Sequence, residues 1–343
     1  MTIQYPAAFL DKKLQLTPGW CMYFPSPNEV HISKSAGAKP DFSLRDAGAE
    51  LWIEQTFRRL NGQHSLREII AGAPTVHRKQ LRHLLENMHG RYLFDASLPH
   101  TLLPPWLMQQ LALNYTAIEH YVQQLQHKSV TVIGTGWLAD ALLPLLNNLQ
   151  LRQISWVTPS TQPTTQHVFS QHQDYSATDS LLAMLDQLDS DLVIYAEDHF
   201  DLPLLKTIDL NSRLTGKRWL FSLIDGWNIA LGPCFVPGET SCLQCWLQQQ
   251  PYYQQLAQIS ELAQADITAF QRQSVNPAFS QIAAGLIATD LPNLLMESSF
   301  SNHANASFLL GQQTRLDMQT LHSVTQPIYP DLQCQQCNQS TTA

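Results

Sequence analysis

Over residues 1–95 the spacing of apolar and polar positions changes period more than once. Residues 14–16, 21–24 and 30–32 read as short strands, divided by the turn formers Pro18-Gly19 and Ser26-Pro-Asn28. From Ser43 the spacing turns helical, with Ile53, Phe57 and Leu60 at i, i+4 and i+7 on one face and Asn61-Gly62 as the stop. Ser65-Leu-Arg-Glu68 has the form of a capping box, in which hydroxyl and carboxylate satisfy the first free amides of a helix. Leu66, Ile69 and Ile70 then face inward. A third helix starts near Arg78, carries Leu81, Leu84, Leu85 and Met88 on one stripe, and ends at His89-Gly90 before a strand-like Arg91-Tyr-Leu-Phe94. These elements predict a small winged helix-turn-helix over residues 1–97.

Leu103-Pro-Pro105 predicts a linker, followed by an amphipathic helix through Leu107, Leu111, Ile118, Val122 and Leu125; residues 98–128 form this connection. A strand is then predicted at 130–133, running into Gly134-Thr-Gly136-Trp-Leu-Ala139 and an apolar helix to Leu149. Further strands at 153–157, 192–195 and 218–222 give a parallel α/β, Rossmann-like sheet within residues 129–343. A glycine turn of this kind lets backbone approach a pyrophosphate at a helix N-terminus, although a lone fingerprint does not establish a ligand.

Charge divides the chain. The net charge of −8 splits into 12 Lys/Arg against 9 Asp/Glu in residues 1–95 and 8 against 19 in the rest. A field of +3 is weak for DNA and the acidic remainder repels it, so nucleic acid is not the expected partner. A mildly basic groove beside an exposed strand suits an acidic peptide better, with a purely structural role as the alternative. The candidate peptide contacts are Val30, His31 and Ile32 along the strand, with Arg78, Arg82 and His83 on the third helix. Residues 153–205 contain no lysine or arginine, and the second strand of the sheet ends in Thr158-Pro-Ser rather than an acid that would hold a ribose. ATP is therefore not expected to bind this chain. No apolar run reaches the ~18 residues a membrane span needs, and Met1-Thr-Ile-Gln-Tyr-Pro lacks a signal-sequence pattern, so a cytoplasmic protein without a membrane partner is expected.

Of six cysteines, Cys242 and Cys245 form one C-x-x-C and Cys334 and Cys337 a second. Two such clips complete the four-thiolate shell of a structural zinc, which is the expected cofactor; a redox dithiol, a disulfide or coincidence are the alternatives. Cys21 and Cys234 are expected to be small buried hydrophobes.

Three features together resemble a family. They are the glycine turn, Asp198 within Tyr-Ala-Glu-Asp-His, and Gly232-Pro-x-Phe-x-Pro-Gly-x-x-x-Cys-x-x-Cys245 with its partner clip ending at Cys337. They resemble the ubiquitin-activating-enzyme superfamily that includes ThiF and MoeB, and most closely its inactive-looking branch in cyclodehydratases of thiazole/oxazole-modified microcins. Residues 60–70 and 84–94 are similar to the PqqD-like peptide recognition element of those proteins. The resemblance implies a noncatalytic subunit that binds the leader of a ribosomal precursor peptide. An ATP-using YcaO protein would convert Cys, Ser or Thr to azolines; a flavin-dependent azoline dehydrogenase and a second copy of the chain are further implied partners. Active adenylating relatives carry an acidic residue after the second strand, then an Arg and a Lys, and this sequence has none of them there. Asp198 matches their metal-linked aspartate. The alternative is an ATP-dependent adenylating enzyme acting on a peptide or carrier-protein C-terminus.

Overall fold

Leu14, Val30, Ile32, Ile53, Phe57, Leu66, Ile69, Leu81 and Leu85 share one buried cluster, and the elements that carry them pack around it. The computed structural model describes residues 7–34, 38–48, 50–96, 123–159, 171–175, 178–262, 275–296 and 307–338. The chain divides into two units, Met1–Gln124 and Leu125–Ala343. The predicted linker and most of the helix after it lie outside the described residues.

In the first unit, β1 (Leu14–Leu16) pairs antiparallel with β5 (Leu93–Asp95), and β2 (Cys21–Ser26), β3 (Glu29–Ser33) and β4 (Phe42–Arg45) form a separate three-stranded sheet. Three helices complete the unit: α1 (Ile53–Phe57), α2 (Leu66–Gly72) and α3 (Arg78–Met88). The capping box forms as predicted, with Glu68 N–H donating to Ser65 Oγ at 3.3 Å and Ser65 N–H to Glu68 Oε2 at 2.9 Å. Strand β4 is not foreseen from the pattern, and α1 stops at Phe57, leaving Leu60 buried beyond it. Cys21 is exposed on β2 rather than buried, while Cys234 is buried.

The second unit holds an eight-stranded sheet. Its strands are β6 (Ser129–Ile133), β7 (Gln153–Pro159), β8 (Gln171–Tyr175), β9 (Leu192–Glu197), β10 (Arg218–Asp225), β11 (Asn228–Phe235), β12 (Gln312–Asp317) and β13 (His322–Pro327). Spatial order is β13-β12-β11-β10-β9-β6-β7-β8. The five strands from β10 to β8 are parallel; β6, β7, β9 and β10 stand where the spacing predicts them and β8 is not foreseen, whereas β11, β12 and β13 add antiparallel to the β10 edge. Helix α4 (Trp137–Asn147) leads from β6 to β7, α5 (Thr178–Gln187) from β8 to β9, and α6 (Leu202–Thr215) from β9 to β10. Since β7 and β9 flank β6 on opposite sides, strand order reverses at the end of β6, where α/β sheets open a crevice. Past β11 come α7 (Leu243–Gln249), α8 (Pro251–Leu262), α9 (Pro277–Leu295) and α10 (Gln335–Asn338). Among the described residues no helix is long and apolar enough to cross a membrane.

Trp246 fixes α7 to the sheet. Its ring lies 4.6 Å from Phe221 and 4.8 Å from Tyr253, centroid to centroid, and the side chain is fully buried. Trp246→Ala should lower the unfolding free energy by about 3–5 kcal/mol in a denaturant titration. Trp246→Phe should cost a fraction of that, because the buried indole N–H has no hydrogen-bond partner to lose.

Candidate functional site

The two C-x-x-C clips meet. Cys242 caps α7 in an extended conformation and Cys245 lies within its first turn, while Cys334 precedes α10 and Cys337 lies inside it. Sulfur–sulfur distances are 3.7 Å for Cys242–Cys245 and 3.6 Å for both Cys242–Cys334 and Cys245–Cys337. All four sulfurs lie within 4.8 Å of one another. Four thiolates at ~2.3 Å from one tetrahedral ion sit ~3.8 Å apart, whereas a disulfide requires ~2.05 Å, so the arrangement fits a metal ion and not a bridge. Asp331 N–H adds a donor to Cys245 Sγ at 3.3 Å. Burial pushes the Cys242 thiol up strongly and the Cys337 thiol to about 11. At neutral pH Cys242 and Cys337 ionise only when a cation displaces their protons, which couples metal binding to pH.

At the end of β6 the glycine turn is shaped by β9. A Cβ on Gly134 would lie 2.0 Å from the Ala196 carbonyl oxygen, and one on Gly136 would lie 2.1 Å from Asp198 Oδ2. Both glycines have positive φ, 151° and 94°. Asp198 accepts the first amides of α4, from Trp137 at 2.6 Å and Leu138 at 3.0 Å. Beside it, Glu197 accepts from Thr135 Oγ1 at 3.2 Å and lies 3.3 Å from His199 Nδ1. The indole of Trp156 donates to the Gly134 carbonyl at 2.9 Å. The amides that such folds aim at phosphate are thus engaged by an internal carboxylate. Burial raises the Asp198 pKa to about 6 against the pull of the two amides.

In the first unit the six predicted peptide contacts do not converge. Strand β3 is central, paired with β2 through Cys21↔Ser33 and with β4 through Val30↔Leu44, so no strand can add beside Val30, His31 and Ile32. Val30 and Ile32 are core residues, and His31 is held by Glu29 Oε1 at 2.8 Å and Tyr23 Oη at 3.2 Å. Arg78 donates to the Ala73 and Ala71 carbonyls at the end of α2, and Arg82 pairs with Glu86 at 2.9 Å. Only His83 lines a groove.

That groove, of about 410 Å³, runs between β4 and α3. Leu44, Leu81 and Leu84 give it apolar walls, and Trp52, stacked on His77 with centroids 4.8 Å apart, closes one part. Trp52 Nε1 donates to Asp46 Oδ2 at 2.7 Å, which holds that carboxyl below its usual range, and His77 Nε2 lies 3.5 Å from the same oxygen. Among the described residues β4 is an edge strand of its sheet, with no further strand paired to its outer side. The alternation of Phe42 and Leu44 with Ser43 and Arg45 was the available signal for it.

No family model matches the sequence, and no curated relative matches it. Among solved structures, the heterocyclase TruD superposes with a TM-score of 0.64 at 19% identity, covering 95% of this chain and 43% of its own. A heterocyclase in complex with substrate and cofactor gives 0.63 at 18%, covering 95% and 39%. E. coli MccB, solved with ATP, gives 0.59 at 11%, covering 94% and 99%. This chain therefore spans less than half the length of the two heterocyclase structures and nearly all of MccB. At these identities the likeness is one of fold.

Metal analysis of chain purified without chelator should return about one thiophilic ion per chain. Cys337→Ser should remove it and lower the melting temperature, and chelation should do the same to the native chain. For Asp198, a folded-state pKa above the ordinary 3.8 means that the folded chain holds the proton more tightly. Its stabilising contribution is fully present below pH ~4 and is lost as pH rises through about 6. Asp198→Asn, which cannot ionise, should gain on the native chain by about 2–3 kcal/mol between pH 4 and 7 in paired denaturant titrations.

Proposed function

We propose that this chain is a noncatalytic, leader-peptide-binding scaffold subunit of a heterocyclase acting on a ribosomal precursor peptide. The observation that carries the reading is the apolar groove beside the free edge of β4. A strand added there gains backbone hydrogen bonds from β4, and its inward side chains bury against Leu44, Leu81 and Leu84. The groove replaces the edge of β3 as the proposed leader site, with His83 retained on its rim. The likeness of fold to TruD supports the reaction class, and the reading assigns the chemistry to a separate, ATP-using catalytic subunit. That subunit would be a YcaO protein, which activates the backbone amide with ATP after Cys, Ser or Thr has attacked it. The four cysteines would hold a structural zinc that ties the tail segment to the sheet unit.

One observation favours a second reading. The fold covers nearly the whole of MccB, which has been solved with ATP, so an adenylating enzyme is the alternative. Against it stand the absence of lysine and arginine from residues 153–205 and the engagement of the α4 amides by Asp198.

The test is a reconstitution from the chain, a co-encoded short precursor and a YcaO partner, with each omitted in turn and products read by mass spectrometry. Loss of one water per ring is expected only with all three and ATP, and chiefly from leader-bearing substrate. Leu84→Asp should weaken binding of a labelled leader by at least about tenfold in fluorescence polarisation, since a charge then replaces a groove wall. A YcaO partner that works alone at full rate overturns the scaffold role. Heat on calorimetric titration of the chain with magnesium and ATP selects the adenylating alternative.

A further inference from the structure

A second pocket, of about 200 Å³, lies beside the four-cysteine centre and has no part in the reading above. It is bounded by the segment after β11, by α6 and by the stretch that leads into α10. Val236, Pro237 and Leu332 line it with apolar surface, and Asp209, Glu239 and Asp331 bring three carboxylates to it. The only cationic side chain in its lining, Arg213, is matched by Asp209, Nε to Oδ2 at 3.0 Å. Glu239 and Asp331 are exposed and have no cation beside them among the described residues. The pocket is therefore net negative.

Two independent observations indicate an occupant. Ser241 lines the pocket at 2% exposure, and its Oγ has no hydrogen-bond partner, an arrangement that costs free energy unless something supplies one. At the mouth, Leu332 is 92% exposed, and Tyr329, three residues earlier, is 66% exposed. Leu332, which also lines the pocket, thus leaves hydrocarbon surface open at its mouth for an apolar stem to pack on. A bare divalent ion fits poorly, because among the described residues only the four cysteines converge as metal ligands. The combination of apolar wall and acidic end matches a long cationic side chain, whose methylene stem packs on hydrocarbon while its head meets carboxylates.

We propose that this pocket receives a lysine or arginine side chain of a partner protein. The stem would lie on Val236, Pro237 and Leu332, and the head would meet Glu239 and Asp331 with the Ser241 hydroxyl as a further acceptor. The acidic balance of this unit favours such a partner over a second copy, which would bring carboxylate against carboxylate.

The isotope-labelled, metal-loaded full chain is titrated with N-acetyl-arginine methylamide and with the uncharged N-acetyl-citrulline methylamide, and backbone amide shifts are followed by NMR. Saturable shifts confined to residues 236–242 and 329–332 are expected with the arginine amide. They should weaken by about fivefold or more in Glu239→Gln/Asp331→Asn and with citrulline. High salt should weaken them too. Near-UV circular dichroism checks that the double variant keeps its fold, and it retains all four cysteines. No shift at these residues, or equal shifts with citrulline, overturns the proposal. Where a YcaO partner forms a complex with the native chain, equal affinity for the double variant also overturns it. A chain that binds the arginine amide but no leader would sink the scaffold reading and leave this one standing.

Discussion

The constraint on which the sheet unit depends is the meeting of two cysteine pairs separated by some ninety residues of chain. Everything between Cys245 and Cys334 must return to one point: helices α8 and α9, the two added strands β12 and β13, and the segment before α10. Helix α7 is only seven residues long and could not fold alone, so its position rests on Trp246 in the aromatic core and on the thiols at its start. Closing so long a loop costs entropy that grows only slowly with its length, so a single ion at the junction can offset it.

In the same unit, a turn shaped for close approach is filled from within. The crevice at the end of β6 retains glycines that permit close approach, yet what approaches is the chain itself. Asp198 takes the amides at the start of α4, and Glu197 and Thr135 satisfy each other beside it. A phosphate entering there would meet a carboxylate already seated on its donors, with no lysine or arginine from residues 153–205 to offset the repulsion.

Much of this was legible where the signal is local. The capping box at Ser65, the Leu81–Leu85–Met88 stripe and four of the five parallel strands follow from spacing alone, because each residue's role is decided by neighbours within a turn or a pleat; the polar β8 does not. The paired cysteines were legible because two copies of a short motif confirm each other. Strand β4 and the β12–β13 hairpin were not: the alternation in Phe42-Ser-Leu-Arg45 runs over only four residues, His322-Ser-Val-Thr-Gln-Pro327 is largely polar, and pairing rather than propensity makes them strands. Which strand forms an edge is a property of topology. Val30 and Ile32 were therefore read as an open edge when they are the centre of a sheet and the floor of a core.

That correction also changes what this unit would offer a peptide. Sequence charge suggests basic residues at the rim, but Arg78 is spent on the carbonyls that end α2 and Arg82 on Glu86 one turn away. What remains in the groove is three leucines, an aromatic pair and an unpaired strand edge. Affinity there would come from apolar burial and backbone pairing, with His83 and Arg45 left to bias the choice among sequences. Of the twelve basic side chains in the first ninety-five residues, Arg78 closes the end of α2 and Arg58 and Arg82 pair with Glu54 and Glu86 one turn away, so the net positive charge of this segment does not translate into a basic rim on the groove.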